Sequence, residues 1–420
     1  MRQIKYRPMT KYETLKTFFG HNSFRLGQEE LIDALLSGRD VMGVMPTGAG
    51  KSICYQLPAM MLDGVTLVVS PLISLMKDQV TQLLKSGIAG AYINSSLSST
   101  QYRLALKRAA SGQYKIIYVA PERLQNDEFM HFVRTAKIAL LAVDEAHCVS
   151  QWGQDFRPSY LNIPKFLNSI NSRPVVGAFT ATATNEVKKD VIELLGLKNP
   201  MNITTGFDRP NLYLQVASPA SKFNYFRKII EEKHKGSSRN CGIVYCTTRK
   251  TVDEIYAQLK RQGIAVARYH AGMTDEDRRL NQDEFISDKA DVMVATNAFG
   301  MGIDKPNVRY VIHYNMPKNL ESYYQEAGRA GRDGKPSDCI LLFSNDDIGI
   351  AEHFIANSDN NRDLSEKERR TIFARDMARL DKMIAYCETG RCLRAYLLRY
   401  FGEKPKENCN HCSNCKSGTR

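Results

Sequence analysis

Met45-Pro46-Thr47-Gly48-Ala49-Gly50-Lys51-Ser52 is the stretch on which the reading of this chain turns. It follows an apolar run, Val41–Met45, that reads as a buried strand, and it should open a helix. Gly48 and Gly50 let the backbone wrap closely around an anion, and the amides of a helix N-terminus would point at it. Lys51 can then reach the β- and γ-phosphates of a nucleotide, with Thr47 inside the loop and the Ser52 hydroxyl placed to ligate Mg²⁺. The general pattern of such loops begins with glycine, and Met45 stands there instead. A bare glycine-rich turn is the plain alternative, and the strand before it argues against that.

Outward from this loop, short apolar runs alternate with helical patterns. Thr66–Ser70, Ile116–Val119, Ile138–Val143 and Val175–Ala178 read as further buried strands. The pattern restarts at Ile243–Tyr245, Asp291–Ala295 and Tyr310–Tyr314, with Val252, Ile255, Tyr256 and Leu259 at helical spacing in between. Such alternation predicts α/β architecture, with parallel sheets covered by helices on both faces. Gly206 to Asn211 marks one expected boundary and the polar run Asn357–Leu364 another. The expected division is 1–206 and 207–345 for two tandem α/β lobes and 346–420 for a small helical, metal-binding domain. In that last domain Ser365 and Glu368 form a capping box, and Phe373, Met377, Leu380 and Ile384 are expected on one buried helical face.

The 420 residues are too many for one ordinary core, and 43% hydrophobic with 25% charged residues is a globular composition. A net charge of +13 favours a polyanionic partner, though solubility alone could account for it. No apolar run approaches the ~18 residues of a membrane span. The basic start, Met1 to Met9, has no apolar segment behind it, so a cytosolic protein is expected.

Asp144-Glu145-Ala146-His147 follows the strand Ile138–Val143. An acid at a strand end beside a phosphate loop suits Mg²⁺, and Glu145 is then placed to orient and deprotonate a water. Gln325-Glu326-Ala327-Gly328-Arg329-Ala330-Gly331-Arg332 sets two arginines three apart in the second lobe. Their planar forks suit charge on a transferring phosphoryl group, whereas a solvated basic helix end is the plain reading. Trp152, the only tryptophan, lies with Phe156 and Arg157 in a polar, turn-prone segment that fits a surface loop on which bases could stack.

Of ten cysteines, Cys54, Cys148, Cys241, Cys246 and Cys339 are scattered, while the rest crowd the last tenth. Cys392, Cys409, Cys412 and Cys415 have the spacing C-x16-C-x2-C-x2-C, which can close a tetrahedron around Zn²⁺. Cys387 is a further candidate ligand, more simply a buried thiol, and His411 is expected to face solvent.

Taken together, these motifs resemble the RecQ family of superfamily 2 DNA helicases, over nearly the whole chain. Phe19 to Gln28 is similar to its adenine-recognition motif, and Ser70 to Gln79 to its motif Ia. Cys148 to Pro158 looks like its aromatic-rich loop, and Thr180-Ala181-Thr182 like motif III. Ala295 to Lys305 resembles motif V and Gln325 to Arg332 motif VI. The resemblance implies two tandem RecA-like lobes, Gln28 and Arg25 at the adenine, Arg332 as an arginine finger supported by Arg329, and Cys392 as the first zinc ligand. His21 occupies the place where the family usually stacks an aromatic ring on the base.

The family steps along single-stranded DNA from 3′ to 5′. The resemblance therefore implies an ATP-dependent 3′–5′ DNA helicase that uses ATP, Mg²⁺ and Zn²⁺. Its partners would be single-stranded and tailed duplex DNA, its setting DNA repair or recombination, and its state a monomer. Family members commonly carry a winged-helix domain after the zinc module. The chain stops five residues after Cys415, so a short member or a cut chain is expected. Two alternatives stay open: a nucleic-acid-stimulated ATPase acting on RNA, and a zinc-bearing DNA-binding scaffold with weak unwinding.

Overall fold

The computed structural model describes residues 9–153, 155–235, 240–300, 305–357 and 365–416. Its contacts divide the chain into two compact units, Met1–Gly206 and Phe207–Arg420.

Among the described residues, the first unit holds seven strands. They are β1 (Val41–Val44), β2 (Val65–Val69), β3 (Gly90–Ile93), β4 (Ile116–Val119), β5 (Ile138–Val143), β6 (Val175–Thr180) and β7 (Met201–Thr204). All pairings are parallel, in the order β3-β4-β2-β5-β6-β1-β7. Each of β1, β2 and β4 is buried at every position. Runs such as Val65-Thr66-Leu67-Val68-Val69 suit that place, since branched chains pack on a pleated surface covered on both faces. Tyr55, Val68, Tyr118 and Phe179 meet in the core on one side of the sheet.

β5, β6 and β1 are adjacent, and their C-terminal ends lead into Asp144, Thr180–Thr182 and the Met45–Ser52 loop. In open parallel sheets the carboxyl ends of strands are where ligands bind. At the opposite end of the sheet, Asp40 is 3% exposed and gathers four donors. Arg173 reaches it at 2.6 and 3.2 Å, the Val176 N–H at 2.9 Å and the Lys198 N–H at 2.7 Å. One carboxylate thus ties the start of β1 to its neighbours on both sides.

The second unit holds β8 (Leu212–Ala217), β9 (Cys241–Tyr245), β10 (Val266–Tyr269), β11 (Val292–Ala295), β12 (Val308–His313) and β13 (Ser337–Leu342). These pair in parallel, in the order β10-β11-β9-β12-β13-β8. Helices Asp346–Ala356, Glu366–Glu388 and Leu393–Tyr400 follow in the same unit. Both sheets are therefore RecA-like, and a helical region closes the chain.

The long helix Glu366–Glu388 has its expected capping box but not its expected face. Phe373 is 45% exposed, and Ile372, Leu380, Met383 and Tyr386 are buried instead. Arg379, on the buried side, reaches Glu321 at 3.5 Å, which turns the helix away from the purely apolar stripe. The expected boundary at Asn357–Leu364 lies, after Asn357, outside the described residues.

Removing the Asp40 carboxylate takes the acceptor from the Val176 and Lys198 amides and leaves Arg173 only the Pro174 and Gly196 carbonyls. Asp40→Ala should lower the unfolding free energy of the first unit by about 3 kcal/mol or more. Denaturant unfolding at unchanged m-value checks this, and a midpoint equal to wild type would remove the tie from the account.

Candidate nucleotide site and four-cysteine centre

The loop after β1 bends through two residues with left-handed backbone, Gly48 at φ +86° and Gly50 at φ +83°. The helix Ile53–Met61 then begins, with Ser52 at its N-cap. Gln28 lies across the loop: its amide nitrogen donates to the Ala49 and Gly50 carbonyls, both at 3.1 Å. Its oxygen accepts from the Arg25 N–H at 2.8 Å, and the Arg25 side chain donates to the Gly48 carbonyl. Both residues expected at the base thus brace the loop, whereas His21 is exposed.

Lys51 Nζ stands 3.3 Å from Glu145 Oε1. Asp144 is 6% exposed, and Tyr160 donates its hydroxyl to the Asp144 carbonyl at 2.9 Å. Burial pushes the Asp144 carboxyl up from 3.8 to about 6, with Lys51 acting the other way. Glu145 holds left-handed backbone, φ 47°, although it is not glycine. Such strain is characteristic of functional turns. His147 was not singled out from the sequence. Its Nδ1 lies 2.8 Å from Thr180 Oγ1 and 3.3 Å from Glu145 Oε2. Thr180 Oγ1 in turn donates to the Thr182 carbonyl at 3.1 Å. Burial lowers the His147 pKa, so it is neutral at pH 7 and links the ends of β5 and β6 as a hydrogen-bonding group.

The aromatic segment folds directly back on this turn. Gly153 lies against the His147 carbonyl so closely that a Cβ there would sit 2.1 Å from the oxygen. Trp152 is 39% exposed, and Phe156 is half-buried. Arg157 points inward: it donates to Asp155 at 2.9 and 3.0 Å and to the Pro71 carbonyl at 3.0 Å. Gln154 lies outside the described residues.

In the second unit, Arg329 is 6% exposed and donates to the Gly300 carbonyl. The Tyr245 hydroxyl donates to the Phe299 carbonyl at 3.1 Å. Arg332 is half-buried in the turn after helix Leu320–Ala327. Residues 301–304, including Gly302 and Asp304, fall outside the described residues.

The Sγ atoms of Cys392, Cys409, Cys412 and Cys415 all lie within 4.8 Å of one another. Two of the pairs, Cys392–Cys412 and Cys409–Cys415, are 4.0 Å apart. A zinc–sulfur bond of about 2.3 Å requires sulfurs ~3.8 Å apart in a tetrahedron, so the cluster fits the ion. The N–H groups of Ala395 and His411 donate to Cys392 and Cys409 at 3.4 and 3.3 Å, as suits thiolates. Cys387 is buried outside this group. His411 does not simply face solvent; it is half-buried, edge-on to Tyr213 at 5.5 Å.

Two parallel sheets, with a phosphate loop and an acidic turn at one edge of the first, define a helicase-type nucleotide-binding protein. The models of three families match in order: DEAD/DEAH box helicase over residues 25–190, helicase conserved C-terminal domain over 221–334, and RecQ zinc-binding over 345–416. The ATP-dependent DNA helicase RecQ of Bacillus subtilis is 46% identical over 402 residues, which are 96% of this chain and 66% of that protein. The RecS protein of the same organism is 44% identical over 352 residues, 83% of this chain and 70% of that one. The chain belongs to the RecQ family of DEAD/DEAH-box helicases. It spans just under two thirds of the length of the RecQ relatives it matches. The fold is also shared with the DEAD-box helicase Mss116, at TM-score 0.68 and 18% identity, covering 93% of this chain and 89% of that one. No helix among the described residues is long and apolar enough to cross a membrane.

The raised Asp144 pKa has a consequence for stability. The folded protein holds this proton more tightly than the unfolded chain, so stability falls as pH rises from about 4 to about 6 and stays lower above that. Asp144→Asn should therefore stabilise the first unit at pH 7.5 without divalent cations, on the order of 1–3 kcal/mol. The gain should shrink as pH approaches 4. Thermal melts of both proteins across that range check this, and a gain independent of pH would contradict it.

Proposed function

We propose that this chain is an ATP-dependent DNA helicase that couples hydrolysis to 3′–5′ movement on single-stranded DNA and to unwinding of tailed duplexes. The observation that carries the reading is the cluster of Lys51, Asp144, Glu145 and His147 at one edge of the first sheet, with the Trp152 loop packed on the His147 carbonyl. In this reading residues 1–206 and 207–345 are the two motor lobes and 346–420 the zinc-binding domain. The protein acts as a monomer, in the bacterial cytosol or nucleoid, in DNA repair or recombination.

Thr47, Gly48, Gly50 and Lys51 hold the phosphates, with Arg25 and Gln28 at the base. Ser52 and Asp144 are the residues to hold Mg²⁺, whose charge would neutralise the phosphate oxygens during transfer. The buried Asp144 carboxyl fits that role, because a cation beside it would favour the ionised form that burial disfavours. Glu145 takes the proton from the attacking water, and its present partner Lys51 is free to turn to phosphate. Arg332 stabilises charge on the transferring group, supported by Arg329. Trp152 and Phe156 stack on unpaired bases, and Arg157 clasps their loop to the Pro71 carbonyl. A displacement of that loop on DNA would be felt at His147 and so at Glu145.

The reading predicts unwinding of a 3′-tailed duplex and not of a 5′-tailed one, with ATPase stimulated by DNA oligomers and not by matched RNA. Stimulation by RNA alone, or no hydrolysis at all, would overturn it. Glu145→Gln should keep ATP binding while kcat falls ~10³-fold.

Trp152→Ala should keep basal ATPase within about twofold and lose most of its DNA stimulation, since base stacking contributes ~1–3 kcal/mol per base. ATPase rate against single-stranded DNA concentration is the measurement. Full stimulation in that variant would make the loop purely structural.

A further inference from the structure

The turn that carries Arg329 and Arg332 is held by its backbone, from the first residues of the second unit. Arg209 donates to three carbonyls of this turn, Gly328 at 3.2 Å and Ala330 and Gly331 at 2.9 Å each. Asn211 adds bonds to the Gly331 carbonyl at 2.9 Å and the Lys335 carbonyl at 3.0 Å. Gly331 sits at φ +54°, and a Cβ there would lie 2.5 Å from the Asn211 amide nitrogen and 2.7 Å from the Lys335 oxygen. The turn is thus shaped around these two side chains. A planar guanidinium can capture three carbonyls at once, and an ammonium cannot reproduce that geometry.

Arg209 is itself fixed from behind by Arg394. The Arg394 guanidinium donates to the Arg209 carbonyl at 2.6 Å, to Asp208 at 2.6 Å and to the Leu212 carbonyl. Arg394 follows the cysteine Cys392 by two positions on helix Leu393–Tyr400, and Cys392 caps that helix, its sulfur accepting from the Ala395 N–H at 3.4 Å. Nearby, Phe401 stacks on Phe207 at 4.4 Å and Tyr324 donates to the Phe207 carbonyl at 2.9 Å. Leu214 of β8 bridges to Cys412. One continuous set of contacts therefore runs from the four sulfurs through Arg394 and Arg209 to the arginine turn.

We propose that Arg209 is the positioning residue for the Gly328–Arg332 turn. Arg394 links it to the four-cysteine centre, so that metal occupancy there sets where Arg329 and Arg332 stand. The inference rests on the proposed ATPase reading for its catalytic consequence, but not for its structural one. A zinc module held to the second unit only by apolar packing would lack the polar relay. Coupling through such a relay needs both ends to respond to a change at either.

The test uses the full chain and hydrogen exchange of the amides from Gly328 to Lys335. Four samples are compared: zinc-loaded wild type, wild type treated with a zinc chelator, Arg209→Lys and Arg394→Lys. Exchange in this segment should rise ten-fold or more in the last three, while β9, β11 and β12 keep their protection. The zinc-loaded variants should also lose ten-fold or more in kcat at an unchanged KM for ATP. General destabilisation would raise exchange in the strands too and would not give that split. Unchanged exchange in Arg209→Lys overturns the positioning role. Loosening in Arg209→Lys alone, without Arg394→Lys and chelation, overturns the link to the cysteines. Should Arg209→Lys fail to fold, Arg394→Lys and the chelated wild type decide by the same readout. A wild type without ATPase refutes the proposed function, while the exchange data still judge the relay.

Discussion

Lys51 faces Glu145 at 3.3 Å with the buried Asp144 beside it, and this meeting of one cation with two acids organises the first unit. Lys51 follows β1 and the acids follow β5, yet β6 lies between those strands. The charges can meet only if all three strands are parallel and end at the same edge. Parallel strands need crossovers, and crossovers place helices on both faces, which explains the fully buried β1, β2 and β4. The left-handed backbone at Glu145 follows from the same demand, because the chain must turn sharply to aim that carboxylate back at Lys51. His147 and Thr180 then fill the gap at the end of β6 with hydrogen bonds. At the opposite end Asp40 ties β1 to β6 and to the residues leading into β7.

Much of this was legible because its signals are local. A glycine-spaced loop, an acidic turn after an apolar strand and three closely spaced cysteines each fit within a few residues. The strands with continuous apolar runs, such as Ile116–Val119 and Ile138–Val143, were likewise readable to the residue. β3, β7, β8, β10 and β13 were not anticipated. β7 alternates half-buried and exposed positions at the sheet edge, and β8 and β10 are also only partly buried. Such strands show little burial along their length, and short alternation is easily lost among loops, whereas β13 carries a buried apolar run, Cys339 to Leu342, and no such reason covers it. The face of helix Glu366–Glu388 was misjudged for another reason. Its buried side includes Arg379, which meets Glu321 from a helix far away in sequence, and periodicity scores a charged position as exposed.

The candidate site divides in the same way. The four sulfurs come together as their spacing implies, but the side chains that give this cluster its surroundings come from elsewhere. Arg394 meets Asp208 across 186 positions, and Arg209 meets the turn at Gly328 across 119. No local pattern marks Arg209 or Asn211; each sits in an irregular stretch where a polar residue looks solvated. Gln28 and Arg25 add a feature of another kind. The resemblance places them at an adenine, and their donors also reach the phosphate-loop carbonyls, a bracing role that no local pattern marks.

The four-cysteine region is best understood as part of the second sheet's construction. After Glu403 the chain has almost no apolar side chains, and Cys412 is the one buried residue in its described remainder. Hydrophobic burial therefore cannot order it, and bonds from four thiolates to one cation can. The ordered segment then lies along β8: Leu214 bridges to Cys412, Lys416 stands 4.8 Å over the Tyr213 ring, and His411 meets that ring's edge. β8 is the outer strand beside β13, and its free side would otherwise present unpaired backbone groups to solvent. A metal-closed loop covers that edge without needing a hydrophobic core of its own. Helix Leu393–Tyr400, which begins at the ligand candidate Cys392, sets Arg394 facing the carbonyls of Arg209 and Leu212, just where the chain enters the sheet. Metal binding, edge protection and the entry path of β8 are thus satisfied together by this helix and the short segment after it, which is why so polar a stretch can hold a defined shape.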